Sequence, residues 1–272
     1  MKRKPLISVI TCAHNEEKYV GKCLSSVRKA LEGLDGEIVF VADRCTDETA
    51  KVARRHNVEK LIVKNWKKWK NSYAEALQTG FLHSSGQFIS IVDADIVIPK
   101  NFFKNLLPLI KGKVVSVSAK VETYPSTLLN RMSYAWEKTH EFTPFRRSPR
   151  GAARIISRRF LCEVNGFRDV SAPDTDLDIR IERKGYRSVY LSKVKVWHIR
   201  EISLEKMIKG QIKSGIARYN LGISFMKTFA HSVVRARPLT ICGWIIGWIN
   251  PKFKINRNKH REYRLRNNSQ TK

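Results

Sequence analysis

The sequence predicts an α/β fold in which helices flank a mixed, mostly parallel sheet, and three observations lead to this prediction. In the first hundred residues, short β-branched runs alternate with amphipathic helical patterns. The run Gln87–Val92 is almost uniformly apolar, as expected of a central strand covered on both faces. Between the strands, apolar residues recur at spacings of three and four, which marks one face of a helix. Alternation of this kind is typical of a parallel sheet.

Each element is predicted from its own pattern. Leu6–Thr11 is the first strand, and the apolar residues between Val20 and Leu34 form one face of the helix that follows. The same reasoning gives strands at Glu37–Val41, Lys60–Val63 and Gln87–Val92, and helices at Thr46–His56 and Ser72–His83. The second half is less regular, with strands predicted at Lys113–Val121, Ala153–Ser157 and Ser188–Trp197 (a strand or hairpin), and helices at Leu128–His140 and Asp174–Lys184.

The pattern changes near residue 201, and this change divides the chain. Residues 1–200 form the predicted α/β domain. Residues 201–250 form long amphipathic helical stretches in which Ile, Met, Phe and Trp are interleaved with Lys and Arg. Residues 251–272 carry eight basic residues and one acid, and we expect a flexible basic tail.

The charge of the chain is strongly positive. Fifty-two basic residues against 24 acidic ones give a net charge of +28. Such an excess predicts a polyanionic partner, which is nucleic acid, an anionic membrane or a phosphate-bearing substrate. Charge alone does not choose among these three.

The cysteines and the apolar runs of the sequence indicate the compartment in which the protein is expected. The five cysteines include no CxxC pair, which argues against a zinc site or a disulfide framework and favours a reducing, cytoplasmic location. The N-terminal apolar segment is followed by Asn15 and two glutamates without a small-residue cleavage site, so we interpret it as a strand and not a signal peptide. The apolar run Leu239–Ile249 is shorter than the roughly 20 residues that span a bilayer.

Polar residues follow three of the predicted strands. Asn15 and Glu16 come after the first strand, Asp43 after the second, and Asp93 and Asp95 after the fourth. Open α/β sheets bind ligands at the carboxyl ends of their strands. The sequence therefore predicts one composite site at this edge.

The acidic motif Asp93-Ala94-Asp95 is the main indication of chemistry. Two carboxylates one residue apart can hold Mg²⁺ or Mn²⁺, which take oxygen ligands and commonly bridge to substrate phosphates. Two solvated turn aspartates, with Asp95 capping the next helix, are the alternative. The position after a buried strand, at a predicted ligand-binding edge, favours the metal site.

From Ile7 to about His198 the chain resembles the family 2 glycosyltransferases of the GT-A fold. Five blocks carry the resemblance in the family's order: ISVITCAHNEE, VADRCTDET, NSYAEALQTGFLHSSGQFISIVDAD, GAARIISRRFLCEVNGFRD and PDTDLDIRIERKGYRSVYLSKVKVWH. Each block is degenerate, but five in sequence are specific. The resemblance implies a Rossmann-like catalytic domain with a nucleotide-binding half at 1–98 and an acceptor-binding half at 99–200.

The resemblance also implies roles for residues that bind a nucleotide-sugar donor. Asn15 and Glu16 match the loop that cradles base and ribose, and Asp93 matches the residue near the ribose-diphosphate. Asp43 matches the second aspartate of a pair that accepts a hydrogen bond from the base. The first aspartate of that pair is replaced by Ala42, so the base, uridine or guanosine, stays open.

The same resemblance implies the metal ligands and the catalytic base. Asp93, Asp95 and His198 match the metal site, and Asp174 matches the acid taken as the base. The usual Glu-Asp dyad appears here as Pro173-Asp174. From the residues alone, Asp174 at a helix start also suits the helix dipole, and His198 also suits a structural histidine.

These roles describe an inverting sugar transfer to a saccharide or lipid-linked acceptor. A carboxylate takes the acceptor's proton, and a metal neutralises the leaving diphosphate. No glycine-rich phosphate loop follows any predicted strand, so a carboxylate-held metal fills that need. The alternatives are a sugar-phosphate nucleotidyltransferase, which requires such a loop, and a non-enzymatic nucleic-acid-binding protein, which clustered acids at the sheet edge disfavour.

The segment after residue 200 predicts contact with an anionic membrane surface. Trp244 and Trp248 lie one helical turn apart in a short apolar helix flanked by cations, which suits an in-plane position at the headgroups. Each cation near an anionic leaflet contributes about 1 kcal/mol. The alternative is that these helices pack on the catalytic domain or on a second subunit. We expect a peripheral membrane enzyme and leave its oligomeric state open.

Overall fold

The computed structural model describes residues 4–139, 151–170, 172–220, 222–235 and 237–250. The chain divides into two compact units. The first contains Met1–Ser126 and Thr143–Arg200, and the second contains Thr127–Phe142 and Glu201–Lys272. The second unit thus includes a segment from inside the predicted 1–200 domain. The predicted flexible tail, residues 251–272, lies outside the described residues.

The first unit is built on one eight-stranded sheet. Its strands are β1 (Ile7–Ala13), β2 (Gly36–Asp43), β3 (Lys60–Lys64), β4 (Phe88–Val92), β5 (Ile96–Val97), β6 (Val114–Thr123), β7 (Ala153–Ser157) and β8 (Arg187–His198). Their spatial order is β3-β2-β1-β4-β7-β6-β8-β5. Strands β1 to β4 pair in parallel, as do β6 and β8, whereas β7 and β5 run antiparallel to their neighbours. The predicted mixed, mostly parallel sheet is confirmed.

Helices cover this sheet. They are α1 (Glu17–Leu31), α2 (Thr49–Arg55), α3 (Ser72–His83), α4 (Phe102–Leu106), α6 (Arg158–Glu163) and α7 (Pro173–Arg183), with a 3₁₀ turn at Leu107–Leu109. Helix α2 begins three residues later than predicted, because Asp47 Oδ1 accepts a hydrogen bond from Thr49 N at 3.0 Å and holds a turn there. The short elements β5, α4 and α6 were not predicted, since they have too few residues to show a period.

The core lies in two apolar layers, one on each face of the sheet. Successive side chains of a strand point to opposite faces, and β1 therefore places Val9 in one layer and Ile10 in the other. Helix α3 approaches the sheet closely at Gly80. A Cβ atom there would lie 2.5 Å from Ile10 Cγ2, so only glycine fits without a shift. This close packing fixes the sheet edge where β1, β2 and β4 end.

The second unit is helical. It contains α5 (Leu128–Thr139), α8 (Leu204–Asn220), α9 (Phe225–Val234) and α10 (Leu239–Ile249). Helices α8 and α10 touch through their backbones, since a Cβ on Gly215 would lie 2.1 Å from Thr240 O and one on Gly243 would lie 2.1 Å from Ile212 O. Across the described ranges, every helix is too short or too polar to cross a membrane.

Candidate active site

The carboxyl ends of β1, β2 and β4 bring the predicted polar residues to one edge of the sheet. Asn15 has a φ of +57°, and this left-handed turn lets its Oδ1 accept a hydrogen bond from Thr46 N at 2.8 Å. His14 Nδ1 lies 2.7 Å from Asp43 O. The loops after β1 and β2 are therefore tied to each other.

Asp93 follows β4 in a tight turn. Its backbone is held by a bond from Asp93 N to Ala152 O at 3.0 Å and one from Cys23 Sγ to Asp93 O at 3.3 Å. Its carboxylate accepts a bond from Tyr73 Oη at 2.8 Å. Burial, reinforced by the charges of Asp95 and Asp174, raises the pKa of Asp93 to about 7, although the bond from Tyr73 opposes this. The desolvated carboxylate is one that a cation would stabilise.

Asp95 has the opposite electrostatic environment. Its Oδ2 accepts a bond from Arg200 Nε at 2.6 Å and lies 2.9 Å from His198 Nε2. Burial tends to raise the pKa of Asp95, but His198 and Arg200 outweigh it and lower that pKa to about 2. Strand β8 makes this contact possible, because His198 pairs with Ile96 of β5, directly after Asp95.

Asp174 lies in the first turn of α7, and Gly151 lies against its carboxylate. A Cβ on Gly151 would lie 1.9 Å from Asp174 Oδ2. Asp174 Oδ1 is shielded from solvent and has no hydrogen-bond partner among the described residues. Burial raises the pKa of Asp174, the charge of Asp178 adds to the effect, and the Arg154 guanidinium opposes it. Asp174 also contributes to the raised pKa of Asp93, so the two carboxylates are close enough to repel.

The neighbouring acids of α7 form structural pairs. Asp176 Oδ2 accepts a bond from Arg180 Nε at 2.8 Å, and Asp178 Oδ1 accepts one from Arg154 Nη2 at 2.7 Å. Asp174 differs from them because one of its oxygens has no partner in the described part of the chain.

Asp43 is held by cations. Arg44 contacts both of its oxygens at 3.1 Å, and the fully buried Lys64 Nζ lies 2.8 Å from Oδ1. Lys64 also lies 3.0 Å from Glu75 Oε2, and Glu75 accepts a bond from Lys68 N. Burial opposes ionisation of Asp43, yet Arg44 and Lys64 lower its pKa. The loop after β3 is thus anchored through Glu75 and Lys64 to Asp43.

Sequence reasoning missed Arg200, Lys64 and Tyr73. Arg200 forms ion pairs with both Glu16 and Asp95, and so joins the loop after β1 to the acidic motif. Lys64 is the last residue of β3, and its charge could have been matched to that of Asp43 at the end of the neighbouring strand. Tyr73 carried no signal, because its hydrogen bond to Asp93 depends on how α3 packs on β1 and β2.

The donor atoms at this edge suit Mg²⁺ or Mn²⁺ by their chemistry. Carboxylate oxygens and an imidazole nitrogen are ligands that Mn²⁺ accepts, and carboxylates suit Mg²⁺. The structure brings Asp95 and His198 into contact, while Asp93 is bonded to Tyr73. Within the described ranges, no three His, Cys, Asp or Glu side chains are already grouped to hold a metal.

Two relatives at the sequence level cover part of this chain. A dolichol-phosphate mannosyltransferase of Pyrococcus furiosus is 31% identical over 127 residues, which are 44% of this chain and 36% of the relative. The probable glycosyltransferase YdaM of Bacillus subtilis is 26% identical over 215 residues, 72% of this chain and 51% of the relative. The chain thus spans about a third to a half of the length of these relatives.

Solved structures share the fold. The mannosyltransferase PcManGT from Pyrobaculum calidifontis, in complex with GDP-Man and Mn²⁺, gives a TM-score of 0.60 at 21% identity, covering 91% of this chain and 71% of that one. Glucosyl-3-phosphoglycerate synthase from Mycobacterium tuberculosis, in complex with Mn²⁺, uridine-diphosphate and phosphoglyceric acid, gives 0.54 at 19% identity, covering 75% and 73%.

The family profile described as Glycosyl transferase family 2 matches residues 8–170, which is more than half of the chain and includes the loop after β1, the acidic motif and strand β7. The predicted GT-A fold is confirmed by the structural likenesses. The chain belongs to glycosyl transferase family 2.

Proposed function

We propose that this protein transfers a hexose, with inversion, from a nucleoside-diphosphate sugar to an acceptor hydroxyl or phosphate. The observation that carries the proposal is the meeting of Asp93, Asp95 and Asp174 at one sheet edge, where Asp174 keeps a buried oxygen without a partner among the described residues. Asn15, Glu16 and Asp43 would hold the nucleoside. Family membership leaves the nucleotidyltransferase and nucleic-acid-binding alternatives without support.

The reaction we propose is a single displacement. The acceptor oxygen forms a bond to the anomeric carbon as the bond from that carbon to the diphosphate breaks. Asp174 takes the acceptor's proton, and its raised pKa makes it a stronger base than an ordinary carboxylate. The diphosphate leaves with the electron pair of the broken bond.

We infer that Asp93, Asp95 and His198 would hold a divalent cation, Mg²⁺ or Mn²⁺, which neutralises charge on the departing diphosphate. Two structural neighbours bind Mn²⁺ with GDP-Man or with uridine-diphosphate, and this supports the inference. The raised pKa of Asp93 supports it too, because a carboxylate that is costly to ionise gains most from a nearby cation.

The test of this function uses purified full-length protein and a panel of UDP- and GDP-sugars with Mn²⁺ or Mg²⁺. We expect nucleoside diphosphate release with one donor, loss of release in excess chelator, and a product whose anomeric proton coupling shows inversion. Acceptors are polyprenyl phosphate in vesicles and phosphoglycerate in solution. Nucleoside diphosphate release that continues in chelator would show that the reaction needs no metal. A product with retained anomeric configuration would rule out a single displacement.

We also propose that the second unit binds an anionic membrane surface, which suits a lipid-linked acceptor. Its helices expose large apolar side chains, among them Met226 at 69%, Val233 at 64%, Trp248 at 56% and Ile249 at 64%. Small residues at the α8–α10 contact resemble the packing of helices in lipid. Tryptophan beside isoleucine at a helix end suits the headgroup region.

Vesicle sedimentation tests the membrane proposal. We expect binding to anionic vesicles, weaker binding to neutral ones, and only partial release in 1 M salt, where the Debye length falls to about 3 Å. The double variant W248S and I249S should bind much less. The matched control V63S and L82S removes two exposed apolar side chains from the first unit and should bind like the wild type. Failure of the wild type to bind anionic vesicles at low salt would favour the second-subunit alternative, and equal binding by all three proteins would assign the membrane contact to other residues.

A further inference from the structure

A cleft of about 470 Å³ lies beside α1, and its lining shares no residue with the sheet-edge site. It is bounded by α1, by the residue that ends α2 and by the segment after β5. The polar side chains that line it are Lys22, Ser25, Ser26, Lys29, His56 and Lys100. Among its described lining residues there is no aspartate or glutamate. The cleft is open to solvent and not an enclosed cavity.

Helix geometry explains why these side chains converge. Positions 22, 25, 26 and 29 are spaced by three, four and seven residues, so they share one face of α1. Lys22 and Lys29 are two turns apart, about 10 Å along the axis. Both are exposed, and their ammonium groups can reach a ligand lying between them.

The charge of this cleft is partly compensated by Glu32, which interacts with both Lys100 and Lys29. Lys22 and Lys29 form no salt bridge within the part of the chain that the structure describes. Lys100 pairs with Glu32 at 2.7 Å, but both side chains are more than half exposed. Exposed pairs of this kind contribute at most about 1 kcal/mol, so a stronger anion can replace Glu32. Cations that line a concave surface also concentrate the positive potential there.

The floor of the cleft is well fixed. Ser26 Oγ accepts a hydrogen bond from Ile98 N at 3.1 Å and donates one to Cys23 O at 2.7 Å, which ties α1 to the segment after β5. On the other side, Gly21 leaves room for the ring of His56. A Cβ on Gly21 would lie 3.1 Å from His56 Nε2. The cleft is therefore formed by rigid elements and not by a loose surface turn.

We propose that this cleft binds the phosphate group of an anionic ligand. Lys22 and Lys29 supply the charge, the Ser25 hydroxyl donates a hydrogen bond, and His56 and Lys100 lie at the rim. A phosphate group carries up to two negative charges and several acceptor oxygens, which matches separate ammonium groups better than a single carboxylate does. The site is independent of the proposed transfer reaction, because it uses none of its residues.

Pyrophosphate titration of the full chain in excess chelator, without nucleotide sugar, tests the proposal. The ring signals of His56, in protein carrying ¹³C-labelled histidine, report on the cleft and are assigned with H56Q. We expect a saturable shift with a Kd below about 1 mM. The double variant K22Q and K29Q should raise that Kd at least about tenfold. The matched control K111Q and K113Q removes the same charge from two exposed lysines elsewhere and should leave the Kd unchanged.

A second arm identifies the source of the phosphate. Vesicles of phosphatidylglycerol replace pyrophosphate, with the same readout and variants. A response to pyrophosphate that needs Lys22 and Lys29 supports a soluble ligand, and a response to vesicles alone that needs them supports a lipid headgroup. The proposal is overturned if the His56 signals respond to neither probe. It is also overturned if the double variant K22Q and K29Q binds as the wild type does and has an unchanged melting temperature.

Discussion

His198 Nε2 lies 2.9 Å from Asp95 Oδ2, although 103 positions separate the two residues in the chain. The contact depends on β5, a strand of two residues that pairs antiparallel with the end of β8. That pairing places His198 opposite Ile96, next to the acidic motif. A polar group from the second half of the fold therefore meets the acidic motif, which comes from the first half.

The first prediction concerns Asp95. Asp95→Ala should abolish turnover and Mn²⁺-dependent donor binding, because it removes a carboxylate that we propose as a metal ligand. Calorimetric titration of the donor with and without Mn²⁺ measures the effect. Asp35→Ala removes an exposed acid ahead of β2 and is the control. Donor binding by Asp95→Ala that still responds to Mn²⁺ would assign the metal to other residues.

The second prediction concerns stability and Asp93. Its pKa in the folded state is about 7, above the ordinary 3.8, so ionising it costs stability as pH rises from about 4 to 7. Asp93→Asn removes that cost and keeps an oxygen for Tyr73. In chelator at pH 8, its melting temperature should exceed that of the wild type by several degrees.

Scanning calorimetry at pH 8 and at pH 3.5 checks this prediction. The difference between the two proteins should shrink toward zero at pH 3.5, where the wild-type carboxyl is protonated in the folded state and mostly protonated in the unfolded state. A lower melting temperature for Asp93→Asn at pH 8 would mean that the ionised carboxylate stabilises the fold.

The third prediction concerns Gly151. Alanine there would place a Cβ 1.9 Å from Asp174 Oδ2, so the carboxylate must move. Displacement of a reacting group by about 1 Å can cost about 10²-fold in rate. Gly151→Ala should therefore lower kcat with little change in melting temperature. The control is Gly210→Ala in α8, where nothing lies within 4 Å, and its kcat should be unchanged. Wild-type kcat in Gly151→Ala would show that Asp174 need not occupy this position.

The fourth prediction concerns the buried cation Lys64. Lys64→Met removes the buried cation that pairs with Asp43 and Glu75. This loss should lower the free energy of unfolding by about 3–5 kcal/mol. Urea denaturation measures the free energy of unfolding of each variant. Lys51→Met breaks an exposed pair with Glu48 and should cost about 0–1 kcal/mol. Similar losses in the two variants would show that the ion pairs of Lys64 are not important for stability.

Much of the fold could be predicted from the sequence, because long elements show their period. Strand β4 and helix α3 were predicted within one residue of their observed limits, since an apolar run and a three-four spacing are strong local signals. Strand β5 and helix α6 are too short to show either signal. The antiparallel direction of β7 could be known only from the structure, because an isolated apolar strand shows the same sequence pattern whichever way it runs.

The candidate site was only partly predictable. Strand ends indicated Asn15, Asp43, Asp93 and Asp95, since parallel strands bring such positions to one edge. Arg200 was missed because its two acidic partners lie more than 100 positions away. Long-range ion pairs leave no periodic trace in a sequence.

The rate of sugar transfer by Asp174→Asn tests the central claim most directly. Asparagine keeps the shape of the side chain but cannot take a proton, so single-turnover transfer should fall by about 10²-fold or more, while donor affinity stays unchanged. Asp176→Asn makes the same substitution on the same helix turn, where the carboxylate pairs with Arg180, and should keep a rate close to that of the wild type. A wild-type rate in Asp174→Asn would contradict the account.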